Sequence, residues 1–159
     1  MIRVAVVVIS SKIESGQNPD ENRQPLERIL TNHQLTLLSY DVVADDRQAI
    51  SRQLFTLCEV SAPHIILTLG GTGVRPTDWA PEATRDVIEK EIPGIGEAMR
   101  AESLKTVKTA MLSRGTAGIK GTTLIMNLPG SVKGVQENLD IVLPLLEHMV
   151  EKMGNVATQ

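Results

Sequence analysis

Apolar runs alternate with amphipathic stretches along most of the chain. In the amphipathic stretches, apolar residues recur at helical spacing, as at Ile50, Leu54 and Leu57. The continuous runs predict buried strands over residues 2–9, 35–43, 64–70 and 122–128. Helices are predicted over 25–32, after Asp45-Asp46, over 81–92, from the Pro-Gly pair at 93–94 to 104, and from 131 to 142, where Pro144 kinks the helix or starts another. The pattern over 109–121 indicates only short strand and turn pieces.

Strands that are apolar throughout and alternate with helices are typical of a mainly parallel sheet covered on both faces. We therefore expect an α/β fold of three layers, Rossmann-like, in one domain spanning residues 1–159. Ligands of such sheets bind beyond the carboxyl ends of the strands, near the point where strand order reverses. Three segments follow predicted strand ends and become candidates for a site: Asp45, residues 70–73 and residues 129–131.

Composition and charge exclude several classes of function. The net charge of −3 provides no basic surface for nucleic acid or anionic lipid, and 2% aromatic residues argue against a base-stacking surface. No apolar stretch approaches the roughly 18 residues of a membrane span, and the short N-terminal run lacks a cleavage site. The single Cys58 cannot form an internal disulfide. We expect a soluble cytoplasmic protein that holds anions by local devices.

The glycine loop GGTG at residues 70–73 is the first such device. Glycine permits close approach and positive φ, so backbone N–H groups can point at one anion. The loop has neither the spacing of a dinucleotide fingerprint nor the lysine of a P-loop. A tight connection between strand and helix explains it equally well when it is considered alone.

Two acidic positions allow both a capping and a metal-binding interpretation. In the pair Asp45-Asp46, one acid caps the helix that follows, and the spacing from Asp45 to Gln48 resembles a capping box, which leaves the other acid free. A solvated pair is the common alternative. Asp78 precedes a proline-led helix whose preceding residue, Ala80, is a poor cap, so Asp78 can serve as a substitute cap. Beside a phosphate loop it is equally well placed to hold Mg²⁺.

The segment from Asn127 to Ser131 ends one predicted strand and starts a helix, with Ser131 as the natural N-cap. Exposed N–H groups and the positive end of the helix dipole make a second anion site there, although an ordinary capped turn has the same sequence. Two anion-receptive loops and two acids at one sheet edge favour a phosphorylated ligand with magnesium. Trp79, beside Asp78, either stacks on a heterocycle or, more simply, packs between helices.

The motifs GGTG, Asp78, PEAT, PGIGEAMR, SRGTAG and NLPGS occur in an order and at intervals that resemble the MoaB and MogA family of molybdenum cofactor biosynthesis proteins. The resemblance extends from RVAVVVIS through VADD to ENLDIVLPLLEH, across nearly the whole chain. It implies a molybdopterin-binding domain that transfers an adenylyl group from ATP, with Mg²⁺, to the terminal phosphate of molybdopterin and releases pyrophosphate. It also implies a homo-oligomer, trimer or hexamer, and contact with other proteins of the pathway.

The resemblance also implies roles for particular residues. Asp45 and Asp78 match the family's catalytic and metal-binding acids, and Glu82 matches its PE position. The substrate-binding positions implied are Gly70, Gly71, Thr72, Gly73, Glu82, Asn127, Pro129, Gly130 and Ser131.

The chain departs from the family pattern at two places. Where the family carries Asp-x-Ser-Gly before the first helix's proline, this chain has residues 21–24, ENRQ, so no site residue is taken from that segment. Trp79-Ala80 replaces a common Val-Thr, and the Asp-x-Ala-Pro-Glu form resembles the MoaB branch. These departures motivate the alternative of a non-catalytic molybdopterin carrier or an oligomeric partner in the same pathway.

Overall fold

The computed structural model describes residues 1–154. Six strands form one sheet: β1 (Arg3–Ile9), β2 (Thr36–Val43), β3 (Ile65–Leu69), β4 (Lys90–Glu91), β5 (Ala117–Lys120) and β6 (Thr123–Leu128). The α-helices are α1 (Ser11–Glu14), α2 (Arg23–Asn32), α3 (Arg47–Thr56), α4 (Ala80–Val87), α5 (Pro93–Leu104) and α6 (Val132–Lys152). A π-helical turn, Leu57–Ser61, continues α3, and a 3-10 turn, Lys108–Leu112, follows α5.

The strand order is β2-β1-β3-β6-β5-β4, and the first four strands of that order run parallel. β5 returns antiparallel to β6, and β4 pairs antiparallel with β5 at the sheet edge. Strand order reverses at β1, because β2 lies on one side of it and β3 on the other. The α/β fold with a mainly parallel sheet is confirmed, and the strand-end loops after β1, β2, β3 and β6 share one edge.

Each face of the sheet has its own core. Alternate residues of β1 divide between the two: Val4, Val6 and Val8 join the core under α2, α5 and α6, whereas Ala5, Val7 and Ile9 join the core under α3 and α4. The alternation follows from the two-residue period of a strand. All of these side chains are at most 3% exposed, so the apolar strand runs of the sequence correspond to strands buried on both faces.

Two predicted helices differ from those in the structure. Helix α4 ends at Val87 rather than residue 92, because the following backbone pairs with β5: Glu89 N–H donates to Ile119 O and Ile92 N–H donates to Ala117 O. Helix α6 continues to Lys152 through the exposed Pro144. A run of buried residues on one face of α6 keeps the helix on the core beyond the proline: Val142, Leu146 and Val150.

Within residues 1–154, no helix combines the length and the apolar content that crossing a membrane requires.

Two glycines offer a matched test of packing at the antiparallel edge. A Cβ added to Gly118 in β5 would lie 2.4 Å from Ile88 Cδ1 and 2.7 Å from Lys90 O, whereas one added to Gly94 in α5 would meet nothing within 4 Å. We expect Gly118→Ala to lower the free energy of unfolding by about 1–3 kcal/mol through overpacking. Gly94→Ala should leave it unchanged or raise it by up to about 1 kcal/mol, because alanine favours the helix. Urea unfolding measures both, and equal effects would contradict the assigned packing.

Candidate functional site

The glycine loop after β3 is built against the ends of two neighbouring strands. Gly70 has φ +104° and Gly71 has φ +70°, conformations that residues with a side chain rarely adopt. A Cβ on Gly70 would lie 2.6 Å from Ile9 O at the end of β1, and Gly70 N–H donates to Leu128 O at the end of β6. Backbone conformation and close packing therefore explain the glycines at positions 70 and 71. Thr72 and Gly73 are the part of the loop that faces a cavity.

The loop after β6 lies directly beside the glycine loop. A Cβ on Gly130 would be 3.4 Å from Gly70 Cα. Ser131 is the N-cap of α6, as the sequence predicts: its Oγ accepts the N–H of Gly134 at 3.1 Å. The start of α6, with its orphan N–H groups and positive dipole end, therefore stands next to Thr72 and Gly73.

Asp46, and not Asp45, caps α3: its Oδ2 accepts the N–H of Ala49 at 2.8 Å. The capping box from Asp45 to Gln48 is therefore wrong. Asp45 is instead joined to the loop after β1, because its Oδ2 accepts the N–H of Ser11 at 3.0 Å while its own N–H donates to Ser11 Oγ at 2.8 Å. The acid that capping leaves free is thus held at the carboxyl ends of β1 and β2.

Asp78 closes the loop that leads from the glycine segment to α4. Its Oδ2 accepts the N–H of Arg75 at 2.9 Å, and its own N–H donates to Arg75 O at 3.0 Å. A Cβ on Gly73 would lie 2.9 Å from the same Oδ2, so the carboxylate sits against the glycine loop. The N-cap of α4 is Trp79, without a side-chain cap bond, so capping of α4 by Asp78 is not what the structure shows.

Arg114 lies in the segment before β5 and holds the loop of residues 72–78 together. Its guanidinium donates to Gly73 O at 2.7 Å, to Asp78 O at 2.9 Å and to a carboxylate oxygen of Glu82, and its backbone N–H donates to Thr72 O. The sequence gives no sign of these side-chain bonds, because the partners of Arg114 lie 32 to 41 positions away in the chain. In the structure this cation is already engaged, and its role is to position the loop that carries Asp78.

Glu82 is the acidic partner of Arg114 at the start of α4. Burial raises the pKa of its carboxyl, and the hydrogen bond and charge of Arg114 outweigh burial, so that the net pKa is lowered from 4.5. Its Oε2 faces Arg114, whereas its buried Oε1 has no hydrogen-bond partner within residues 1–154. The lowered pKa keeps Glu82 ionised, so it pairs with Arg114 as a carboxylate.

Asn127 is buried, and its side-chain amide joins four segments. Its Oδ1 accepts the N–H of Thr116 at 3.1 Å, and its Nδ2 donates to Thr68 Oγ1 and Thr84 Oγ1, each at 2.9 Å. The residue is 1% exposed, so all of these bonds are shielded from water. The amide connects β6 to β3, to α4 and to the segment before β5, beneath the candidate site.

A cavity of about 340 Å³ opens beside the two loops. Five of the residues predicted for the site line this cavity: Thr72, Gly73, Asn127, Pro129 and Ser131. The other predicted residues do not line the cavity: Gly70, Gly71, Glu82, Gly130, Asp45 and Asp78. The structure thus brings the two loops together around one cavity and places the two acids on the neighbouring loops.

The opposite wall of the cavity was not predicted from the sequence, because its residues do not follow the ends of strands. The 3-10 turn contributes to that wall, and so does one face of α5, with Gly96, Met99, Arg100 and Ser103. These four positions follow the i, i+3, i+4, i+7 spacing of one helical face, which is the signal that could have identified them. Arg100 is itself held there, because it donates to Gly115 O at 2.7 Å.

Trp79 does not pack between helices, contrary to the simpler interpretation of the sequence. It is 36% exposed, and the guanidinium carbon of Arg47 lies 5.9 Å from the indole centroid. Arg47 also makes a bidentate ion pair with Asp86 of α4, with both distances 2.8 Å. Through Trp79, Arg47 joins the start of α3, next to Asp45, to the loop that carries Asp78.

The donor set fits Mg²⁺ with few protein ligands. Within residues 1–154, no three His, Cys, Asp or Glu side chains gather into a metal-binding group. Magnesium commonly takes one or two carboxylates and completes its shell with water and substrate phosphates. Asp45 and Asp78 each spend one bond of Oδ2 on a backbone N–H, and an ionised carboxylate has further acceptor sites. Both acids therefore keep the capacity to ligate a cation.

Comparison with known proteins agrees with this geometry. Residues 5–148 match a family model described as "Probable molybdopterin binding domain". The chain is 38% identical over 157 residues to a molybdopterin adenylyltransferase of Helicobacter pylori strain J99, covering 97% of this chain and 89% of that protein. It is 41% identical over 143 residues to the molybdopterin adenylyltransferase of Escherichia coli K12, covering 87% and 72%. The crystal structure of the molybdopterin biosynthesis enzyme MoaB from Thermus thermophilus superposes with a TM-score of 0.91 at 38% identity, covering 98% of each chain.

Replacing Asn127 tests the buried amide. Asn127→Ala leaves the Thr116 N–H and two threonine hydroxyls without their partner, so we expect the free energy of unfolding to fall by about 2–4 kcal/mol. Asn138→Ala is the control, because within residues 1–154 the Asn138 side chain makes one hydrogen bond, to Gly134 O, and its loss should cost about 1 kcal/mol. Urea unfolding at constant m-value measures both, and similar costs would contradict the role of Asn127 as a hub.

The lowered pKa of Glu82 predicts a dependence of stability on pH. A lowered folded-state pKa contributes stability above the ordinary value of 4.5, and that contribution is lost as the pH falls through the folded-state pKa. We therefore expect the stability difference between the wild type and Glu82→Gln to shrink as the pH is lowered from about 6 to about 3. In the Arg114→Met background the ion pair no longer outweighs burial, so the pH dependence of the Glu82→Gln effect should disappear or reverse in sign. A difference that stays constant with pH in the wild-type background would contradict the ion pair.

Proposed function

The chain belongs to the molybdopterin-binding domain family of molybdenum cofactor biosynthesis, and from that premise we propose how it works as a molybdopterin adenylyltransferase. The reaction joins the terminal phosphate of molybdopterin to the adenylyl group of ATP and releases pyrophosphate. Both substrates are anionic, and the chain carries a net charge of −3. The positive groups that receive them must therefore be local, and the two strand-end loops supply them.

The observation that carries this proposal is the cavity between the glycine loop and the start of α6. Its lining combines Met99, Val107 and Leu112 with Ser131 and Lys133. A mainly apolar cleft with a few polar groups at one end suits a fused heterocycle that bears a phosphate. We place the pterin against the α5 wall and its phosphate at Thr72, Gly73 and Ser131.

ATP is assigned to the side of the loops that carries Asp45 and Asp78. The backbone of the glycine loop lies between this side and the cavity, because Gly70 contacts the ends of both β1 and β6. An α-phosphate bound on this loop would face the pterin phosphate across Thr72 and Gly73. The two substrates then need no positively charged side chain between them, and Arg114 remains free to hold the loop.

The chemical step is an in-line displacement at the α-phosphorus. A terminal phosphate oxygen of molybdopterin forms the new P–O bond, the bond from the α-phosphorus to the bridging oxygen of the β-phosphate breaks, and pyrophosphate leaves with that electron pair. The protein contributes by alignment, since holding two anions in reacting geometry converts an encounter into a first-order step. Backbone N–H groups at the glycine loop and at the first turn of α6 offset the developing charge.

Mg²⁺ is assigned to Asp45 and Asp78, where it would neutralise charge on the triphosphate. The two acids reach this region from different loops, Asp45 through Ser11 and Asp78 through Arg75. Their backbone bonds orient each carboxylate before ligand binding. A cation between these carboxylates and the triphosphate would offset the repulsion that an acidic residue beside a phosphate loop otherwise causes.

The carrier hypothesis assigns the same cavity to molybdopterin without turnover. The curated relatives named above are adenylyltransferases, and both acids are present in this chain, so we favour catalysis. A homo-oligomer, a cytoplasmic location and contact with the proteins that deliver and accept the pterin complete the proposal.

Transfer from α-labelled ATP to molybdopterin, with and without Mg²⁺, tests the function. We expect labelled product only with magnesium. Asp78→Asn should lower the rate by about 10²-fold or more, because a carboxylate that holds the metal is lost. Asp140→Asn makes the same change at an exposed position of α6 and should leave the rate unchanged.

Binding is measured separately from turnover. The single Trp79 adjoins Asp78, so its fluorescence should respond to Mg-ATP in the wild type and much less in Asp78→Asn. Molybdopterin bound without any transfer would favour the carrier. Full transfer by Asp78→Asn would remove the role assigned to this acid.

A further inference from the structure

The segment that departs from the family pattern contains a buried residue with an unexpected partner. Asn22 is 6% exposed at the N-cap position of α2. Asparagine at this position commonly accepts an N–H from its own helix. Asn22 has αR backbone angles, φ −85° and ψ −26°, and makes no side-chain cap bond. Its side chain is therefore available for another contact.

That contact reaches across the molecule to the loop after β6. Asn22 Nδ2 donates to Gly130 O at 2.8 Å, between residues 108 positions apart in the chain. Gly130 lies between Pro129, which lines the cavity, and Ser131, which caps α6. On its other side Gly130 packs on Gly70. The carbonyl that Asn22 holds thus belongs to a residue at which the two loops approach each other closely.

Asn22 is itself hydrogen-bonded to Asp20, which in turn contacts Tyr40 of β2. Asp20 Oδ1 accepts the N–H of Asn22 at 3.0 Å, and Asp20 Oδ2 accepts the hydroxyl of Tyr40 at 2.7 Å. The Arg23 guanidinium carbon lies 4.9 Å from the Tyr40 ring centroid. The bonds form a chain from Tyr40 through Asp20 and Asn22 to Gly130.

We propose that Asn22 is a positioning residue that holds the loop of residues 129–131 against the glycine loop, so that both receive the molybdopterin phosphate in one geometry. This inference rests on the proposed function and deepens it. A loop that is ordered before binding loses less conformational entropy when the ligand arrives. The altered first loop then serves substrate binding indirectly, through one amide donor.

The direct test is Asn22→Asp, a change of nearly equal size that removes the Nδ2 donor. We expect molybdopterin to bind about tenfold more weakly and its KM to rise accordingly, while kcat changes little. Mg-ATP binding, followed by Trp79 fluorescence, should be unaffected. Amide hydrogen exchange in the peptide covering residues 129–135 should become faster, which reports the loop without reference to activity.

Three further variants complete the test. Tyr40→Phe removes the bond to Asp20 and should weaken molybdopterin binding in the same direction by a smaller factor. Asn32→Ala, at the exposed end of α2, should change neither binding nor exchange. Tyr40→Phe and Asn22→Ser keep the test open if Asn22→Asp does not fold.

The outcomes separate this inference from the proposed function. Unchanged molybdopterin affinity in folded Asn22 variants would overturn the inference, whether or not exchange in residues 129–135 becomes faster. Equal weakening of molybdopterin and Mg-ATP binding would also overturn it, because it would indicate a general structural defect. If molybdopterin binding by the wild type is weakened in the Asn22 variants but no label is transferred, the proposed catalysis fails and the positioning role stands.

Discussion

The carboxyl ends of β2, β1, β3 and β6 lie side by side because these four strands occupy adjacent positions and run parallel. Parallel pairing forces every return connection to cross a face of the sheet, so the segments that follow the strands meet at one edge. Ser11, Asp45, the glycine loop and the cap of α6 come from four separate parts of the sequence. Their proximity follows from the backbone pairing and requires no contact among the side chains themselves.

Below this edge, buried polar bonds determine how precisely the loops are placed. Asn127 joins β6, β3, α4 and the segment before β5, and its bonds are expensive to break because no water can replace them. Arg114 has a similar role in the glycine loop, where it donates hydrogen bonds to Gly73, Asp78 and Glu82. Several positions of the candidate site therefore have a structural role: they hold the loops whose backbone N–H groups and carboxylates are assigned to the ligand in the proposed function.

An acidic chain can bind two phosphorylated substrates under these conditions, since the attraction is short-ranged and oriented. N–H groups of a glycine loop and of a helix terminus act only where they point, and a cation between carboxylates and phosphates acts only when the ligand is present. In the proposed function, the apolar wall from α5 is assigned the contacts to the heterocycle. Selectivity for a heterocycle with a phosphate then depends on keeping the apolar and polar parts in register.

The parallel α/β architecture, the strand-end loops and the Ser131 cap could be predicted from the amino-acid sequence, because apolar runs, glycines and caps act through local geometry. The folded chain was needed to show which acid caps α3, that residues 89–92 pair with β5, and that Arg114 faces inward. It was also needed to show that Asn22 reaches Gly130, 108 residues away. Each of these depends on a partner from another part of the chain, and short-range patterns do not identify such partners.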